Sequence, residues 1–406
     1  MDRDDDTPAP DVEFLDVGPQ RAPGAGGSVH RWPRWLPLLL LVGLVAATVI
    51  AFIVHGNGGP SASPRRSPTP APPTSSPPSS TALPAASVVV TQMAHPLLGA
   101  RAGWELFARG DGVVVRIQPA RGRITRTTIP VLQSDGPVSF VVGPNLAIVR
   151  PIDNVPGYVV PDGHPARQIS TGLSHGQGGP VFPGPDPNHI WVQNLGGPPA
   201  MALSDLDGAR AGPTIPIPPG GSPLDAIPDG AGYLLFPATG GVYDSRPDGL
   251  HRITTGALLA VGPTGWLTLD CDARARCVTV VIDRATNARR VVGPAVSDSG
   301  GPVGAIAPDG RTAAIFKVGA GNTSTIYLLD LSTGATHRPA LSVDQAGYDG
   351  TVVWSPDSRW LFAVGADGGL EALDTHTGTV TGLSTVGISV PQLRQLAIRL
   401  APTPTR

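Results

Sequence analysis

The 406-residue chain carries 29 basic and 31 acidic residues, so its net charge of −2 leaves no basic excess to hold a nucleic-acid backbone. Glycine (52) and proline (47) are about twice their usual shares, which argues against a helical body. Lys317 is the sole lysine, and with the Ala, Gly and Pro load this suggests a GC-rich, actinobacterial genome.

In chain order, residues 1–35 are acidic, then Gly- and Pro-rich, and too poor in large apolar residues to bury a core. A disordered cytoplasmic tail is expected there. The run from Leu36 to Val54, LPLLLLVGLVAATVIAFIV, has no charge, and as a helix it would span roughly 28 Å, close to a hydrocarbon core. A cleaved signal peptide is the rival reading. The long preceding segment and the lack of a clear A-x-A site favour an uncleaved transmembrane helix. Arg31 and Arg34 beside its start predict a cytoplasmic N-terminus, hence a single-pass protein of the cell membrane with its bulk extracytoplasmic. Residues 55–86 form a Pro/Ser/Thr stalk, read as an extended spacer.

From residue 87 to about 402 the texture is short β-branched runs punctuated by Gly, Pro, Asp and Asn. A Pro-led turn recurs at Pro144, Pro185, Pro228, Pro263, Pro308 and Pro356, with Asp186, Asp229, Asp309 and Asp357 following four of them. Those aspartates have a structural role available, bonding the turn backbone, which outweighs a calcium site. A second turn ends at Gly122, Gly163, Gly208, Gly249, Asn287, Gly334 and Gly378, where a tight turn calls for positive φ. A near-constant period of about 40–45 residues with four short strands per unit is the pattern of a propeller blade. The expected fold is all-β: a seven-bladed β-propeller of four-stranded antiparallel blades, preceded by the transmembrane helix. The first unit lacks an obvious innermost strand. The C-terminal LAIRLAP resembles the innermost strands GAIAP and VVWSP and is expected to supply it, with SVVVTQ as the alternative.

The units APDGRTAAIF…TIYLLDLSTG and WSPDSRWLFAV…LEALDTHTG resemble the PD40, or WD40-like, repeats of the TolB C-terminal propeller and its relatives, of a membrane-anchored actinobacterial type. That resemblance implies fold rather than activity, and commonly a protein-interaction platform.

Cys271 and Cys277 bracket DARAR between two strand-like runs, so they are expected to bridge across a hairpin end as a structural staple in an oxidising compartment. GLSHG at 172–176 matches a nucleophile-elbow pattern, but Ser174 and His175 sit in a Gly/Pro-rich connection with no helix after it. The histidines show no metal-ligand spacing. No catalytic, cofactor-binding or metal residue is therefore predicted. Trp104, Trp191, Trp266, Trp354 and Trp360 are expected in the core. The functional expectation is a membrane-anchored scaffold or sensor without catalytic activity, binding an envelope protein, peptide or glycan at a propeller face, with residues 170–185 and 209–223 as contact loops. The alternative is a lactonase- or hydrolase-type propeller enzyme acting at its central channel.

Overall fold

The computed structural model of the chain describes residues 87–400 apart from 101–102, 131–136, 153–155, 170–178, 195–196, 297–301, 319–322 and 345–349. The expected tail, the run Leu36–Val54 and the stalk lie outside the described residues. No helix among the described residues is long and apolar enough to cross a membrane, so the expected transmembrane helix is not part of the observed fold. The helical elements described are short 3-10 turns such as Leu97–Gly99 and Leu383–Val386.

Everything else that is regular is strand. Residue 87 onward winds largely as successive antiparallel meanders, in which neighbouring strands of a sheet are mostly consecutive in sequence. The seven residues predicted to need positive φ at the second turn all adopt it, from +57° at Asn287 to +134° at Gly249. The aspartates of the first turn bond its backbone as expected: the Asp309 carboxylate accepts the Arg311 N–H at 3.0 Å, and that of Asp186 accepts the Asn188 N–H at 2.9 Å.

The blade count needs correction. The strands do not form seven separate four-stranded sheets; the described residues hold six sheets, four of them four-stranded, one five-stranded and one nine-stranded. The nine-stranded sheet arises because the strands Ala257–Val261 and Gly304–Ile306 pair in parallel, Ala260 opposite Gly304, and so fuse two meanders edge to edge. Gly304 also lies tight against its antiparallel partner strand Thr312–Val318, where a Cβ would meet the Ala314 carbonyl oxygen at 2.0 Å.

The fifth strand of the five-stranded sheet comes from Val88–Gln92, which pairs with the outer face of Arg123–Thr128. The inner strand of that sheet is Leu393–Leu400, paired with Trp104–Gly110. The C-terminal segment therefore supplies the missing strand, as LAIRLAP suggested. Apolar clusters lie between successive meanders, and one of them joins Trp104, Leu106 and Val115 of the first to Trp360, Phe362 and Ala372 of the last. That cluster closes the ring and removes the exposed sheet edges that an open array would keep. The five tryptophans named above are all buried, at most 6% exposed.

Candidate functional site at a cavity between two sheets

Two junctions between meanders hold buried ion clusters, and they differ in how completely their polar atoms are paired. At the ring closure, Glu105 is 1% exposed and lies opposite Arg399 in the strand register. Its Oε1 accepts from Arg116 at 2.6 Å and from Gln118 at 2.7 Å, and its Oε2 accepts from Arg116 and Arg399, each Nε at 3.0 Å. Arg399 also donates to the Gly143 carbonyl at 2.7 Å and to Asp162 at 2.5 Å, and lies 4.7 Å from the Phe107 ring centre. Burial pushes the Glu105 carboxyl upward, but the hydrogen bonds and charges of Arg116 and Arg399 outweigh it and hold the group below its ordinary range. Both oxygens of Glu105 are used, although the Trp104 Nε1 of the same junction is buried without a partner among the described residues. This is a fastener.

The second junction lies between the sheet holding Leu234–Ala238, Gly241–Arg246 and Gly249–Thr254 and the Ala257–Pro294 half of the nine-stranded sheet. Alternation along Gly241–Arg246 sends Val242 and Asp244 to the same buried face. Val242 enters the apolar cluster with Leu258, Trp266 and Ile282. Asp244 instead lines a cavity of about 600 Å³ together with Arg246, His251, Arg252, Trp266 and Arg289.

Asp244 is 1% exposed; its Oδ2 accepts from Arg246 Nε at 2.6 Å, and its enclosed Oδ1 has no partner among the described residues. Burial raises its carboxyl pKa, opposed by the Arg246 charge and reinforced by the nearby Asp229 carboxylate. Asp229 is fully buried, accepts the N–H groups of Ala231 and Tyr233 at 2.7 and 2.8 Å, and pairs with Arg284. Arg284 donates to the Gly262 carbonyl at 2.8 Å and sits 4.9 Å from the Trp266 ring centre. The Nε1 of Trp266 and the Nε of Arg284 are buried without partners. An unpaired buried donor or acceptor costs about 1–3 kcal/mol, so three at one junction is an expensive arrangement for structure alone.

The cavity lining presents the guanidinium groups of Arg246, Arg252 and Arg289 against the single carboxyl of Asp244. Arg289 is partly engaged, donating to the Ile253 carbonyl at 2.8 Å and pairing with Asp270. Arg252 is exposed and has no hydrogen-bond or ion-pair partner among the described residues. Such a surface attracts an anion, and the enclosed Asp244 carboxyl holds Arg246 in the wall.

The sequence-derived sites stand as follows. Cys271 and Cys277 face each other at the end of the Gly265–Cys271 and Cys277–Asp283 hairpin and are disulfide-bonded, with Cα atoms 3.9 Å apart. Ser174 and His175 lie outside the described residues, as does most of the expected contact loop 170–185. The other expected loop is corrected: Arg210–Pro216 is a strand paired with Ala200–Asp205. Among the described residues no group of three or more His, Cys, Asp or Glu side chains is gathered to hold a metal. The cavity residues drew no attention in the sequence, although one signal existed: Asp244 occupies a core-facing position, two residues after Val242, in an otherwise ordinary strand.

No protein-family model and no curated protein matches the chain. Solved structures do. The periplasmic gluconolactonase of Pseudomonas aeruginosa is 16% identical, with 74% of this chain and 99% of that chain covered and a TM-score of 0.41. TolB from Acinetobacter baumannii is 13% identical over 73% of this chain and 82% of that one, with a TM-score of 0.36. An oligogalacturonate lyase in complex with manganese is 10% identical over 72% and 99%, also at a TM-score of 0.41. TolB is thus among the structures this chain is similar to, beside two enzymes. The expectation that the chain is not an enzyme is corrected to this extent: the structures it is similar to include proteins named as a gluconolactonase and as a lyase. At these scores the likenesses assign no activity.

Proposed function

We propose that the chain is an extracytoplasmic TolB-like propeller of the PD40 type whose working site is the cavity at Asp244, and that it takes a small organic anion there. The observation that carries this reading is the set of arginines, Arg246, Arg252 and Arg289, that lines the cavity beside the buried Asp244 carboxyl. A volume of about 600 Å³ suits a ligand of metabolite size. The ligand supplies a carboxylate or phosphate to the guanidinium groups, among them that of Arg246, which Asp244 holds in place. Of the partner classes that the sequence suggested, an acidic glycan fragment or the carboxylate end of a peptide fits this chemistry. The Cys271–Cys277 bridge supports an oxidising compartment for the domain.

A second reading has its own observation. A carboxyl whose burial raises its pKa can carry a proton to or from a bound ester or lactone, and opening such a bond yields a hydroxy acid that the arginines would retain. Titration calorimetry of the purified full-length chain with a uronic acid and an aldonic acid tests the binding reading. Micromolar to millimolar binding that Asp244→Asn weakens at least tenfold is expected; binding equal in both proteins would overturn it. Adding the corresponding aldonolactone and following acid release separates hydrolysis from binding alone.

A further inference from the structure

The anion cavity has an apolar neighbour. A second cavity of about 730 Å³ opens at the same junction, walled by Ile227, Pro237, Ala238, Val242, Leu258 and Val303. The antiparallel meander fixes where it lies: Ala238 and Gly241 are at the hairpin end of their strands, whereas Arg246 and Gly249 are at the other end. The two cavities therefore sit towards opposite edges of one sheet junction. Arg252 lines both.

Glycines keep the wall of the second cavity bare. A Cβ at Gly241 would meet the Thr254 carbonyl oxygen at 1.9 Å, and one at Gly256 would meet the Leu269 carbonyl oxygen at 1.9 Å, so neither position admits a side chain that could fill the space. The single charged residue in this lining is Arg252, which has no partner of its own among the described residues. Arg252 is the wall residue that the two cavities share, so a ligand spanning both would follow a path past its guanidinium.

From this path we infer that the ligand is an anionic amphiphile: a carboxylate or phosphate head held by Arg252, Arg246 and Arg289, and an alkyl or acyl chain lying against Ala238, Val242 and Leu258. This deepens the reading of the Asp244 cavity and rests on it. Each methylene of the chain that leaves water for the apolar chamber raises affinity roughly fourfold. The Arg252 guanidinium then pairs with the head group while its own methylenes lie along the chain.

Calorimetric titration of the full-length chain with inorganic phosphate, butyl phosphate and decyl phosphate, the last kept below its micelle concentration, tests the inference. Octyl glucoside serves as the uncharged amphiphile. Decyl phosphate is expected to bind at least tenfold more tightly than butyl phosphate, and octyl glucoside more weakly than either. Ala238→Trp, which fills the apolar chamber, is expected to abolish the gain from the longer chain while leaving inorganic phosphate unchanged. Ala257→Phe serves the same purpose should the first variant fail to fold. Arg252→Ala is expected to weaken both alkyl phosphates at least fivefold. Equal affinity for the two chain lengths in the wild-type protein, or a chain-length gain that survives both filling variants, would overturn the inference while leaving the anion site standing. No binding of any anion would remove the anion site itself.

Discussion

The ring closure and the Asp244 junction are built from the same materials, buried carboxylates and arginines between two sheets, yet they work in opposite senses. At the closure, Glu105 accepts from Arg116, Gln118 and Arg399, and its ionised form is the favoured one. At the other junction, Asp244 keeps one oxygen empty and its ionised form is disfavoured. Completely paired buried charge resists every rearrangement, because removing one member strands the others. Incompletely paired charge beside a cavity is poised for something else to complete it. The contrast separates fastener from site without reference to any relative.

Removing Arg399 is the harshest way to break the comparison. Arg399→Ala leaves Arg116 as the remaining cation for Glu105 and Asp162 and removes the side-chain tie to the C-terminal strand, and is expected to lower unfolding stability by about 3 kcal/mol, read from urea denaturation. A loss below 1 kcal/mol would show that the closure does not depend on this cluster. Opening the Cys271–Cys277 bridge comes next. The double substitution to serine is expected to cost about 2 kcal/mol, because the enclosed loop is short. The effect should be independent of the Arg399 variant, since the two sit in different sheets.

Acid sharpens the same contrast through its sign. The folded pKa of Glu105 is lowered, so its contribution is present above the unfolded glutamate value near 4.3 and is lost as pH falls through the folded value. Asp244 is raised, so its contribution is present below the unfolded aspartate value near 3.9 and is lost as pH rises through the folded value. Denaturation midpoints between pH 3 and 7 are therefore expected to rise less steeply with pH in Glu105→Gln than in the wild type, and more steeply in Asp244→Asn. Parallel curves for all three proteins would contradict the assignment. The smallest stability effect expected is that of Asp244→Asn at neutral pH, under about 1 kcal/mol, since the change relieves the buried charge while it weakens the contact with Arg246.

How far these regions could be read from sequence follows from what each depends on. The second-turn residues were legible because positive φ restricts the choice almost to Gly and Asn, and that restriction recurs at a fixed period. The closing strand was legible because LAIRLAP repeats the texture of other innermost strands. The parallel pairing of Ala260 with Gly304 was not, because it depends on two inner strands converging in space and leaves no local pattern. The Asp244 site was hidden for a related reason. Its members come from two sheets, and an unpaired oxygen is a property of neighbours that adjacent sequence does not name. Asp244 lies five residues before the turn glycine Gly249, and its core-facing position two residues from Val242 was the available clue.

The most direct measurement compares ligand-induced stabilisation in two proteins, wild type and Asp244→Asn, by thermal unfolding at neutral pH with a saturating uronic acid or alkyl phosphate. If the cavity is the working site, the wild-type midpoint rises by several degrees and that of Asp244→Asn stays where it began. An equal rise in both, with both folded to the same extent beforehand, would place the ligand elsewhere and leave Asp244 as a buried charge without a purpose in binding.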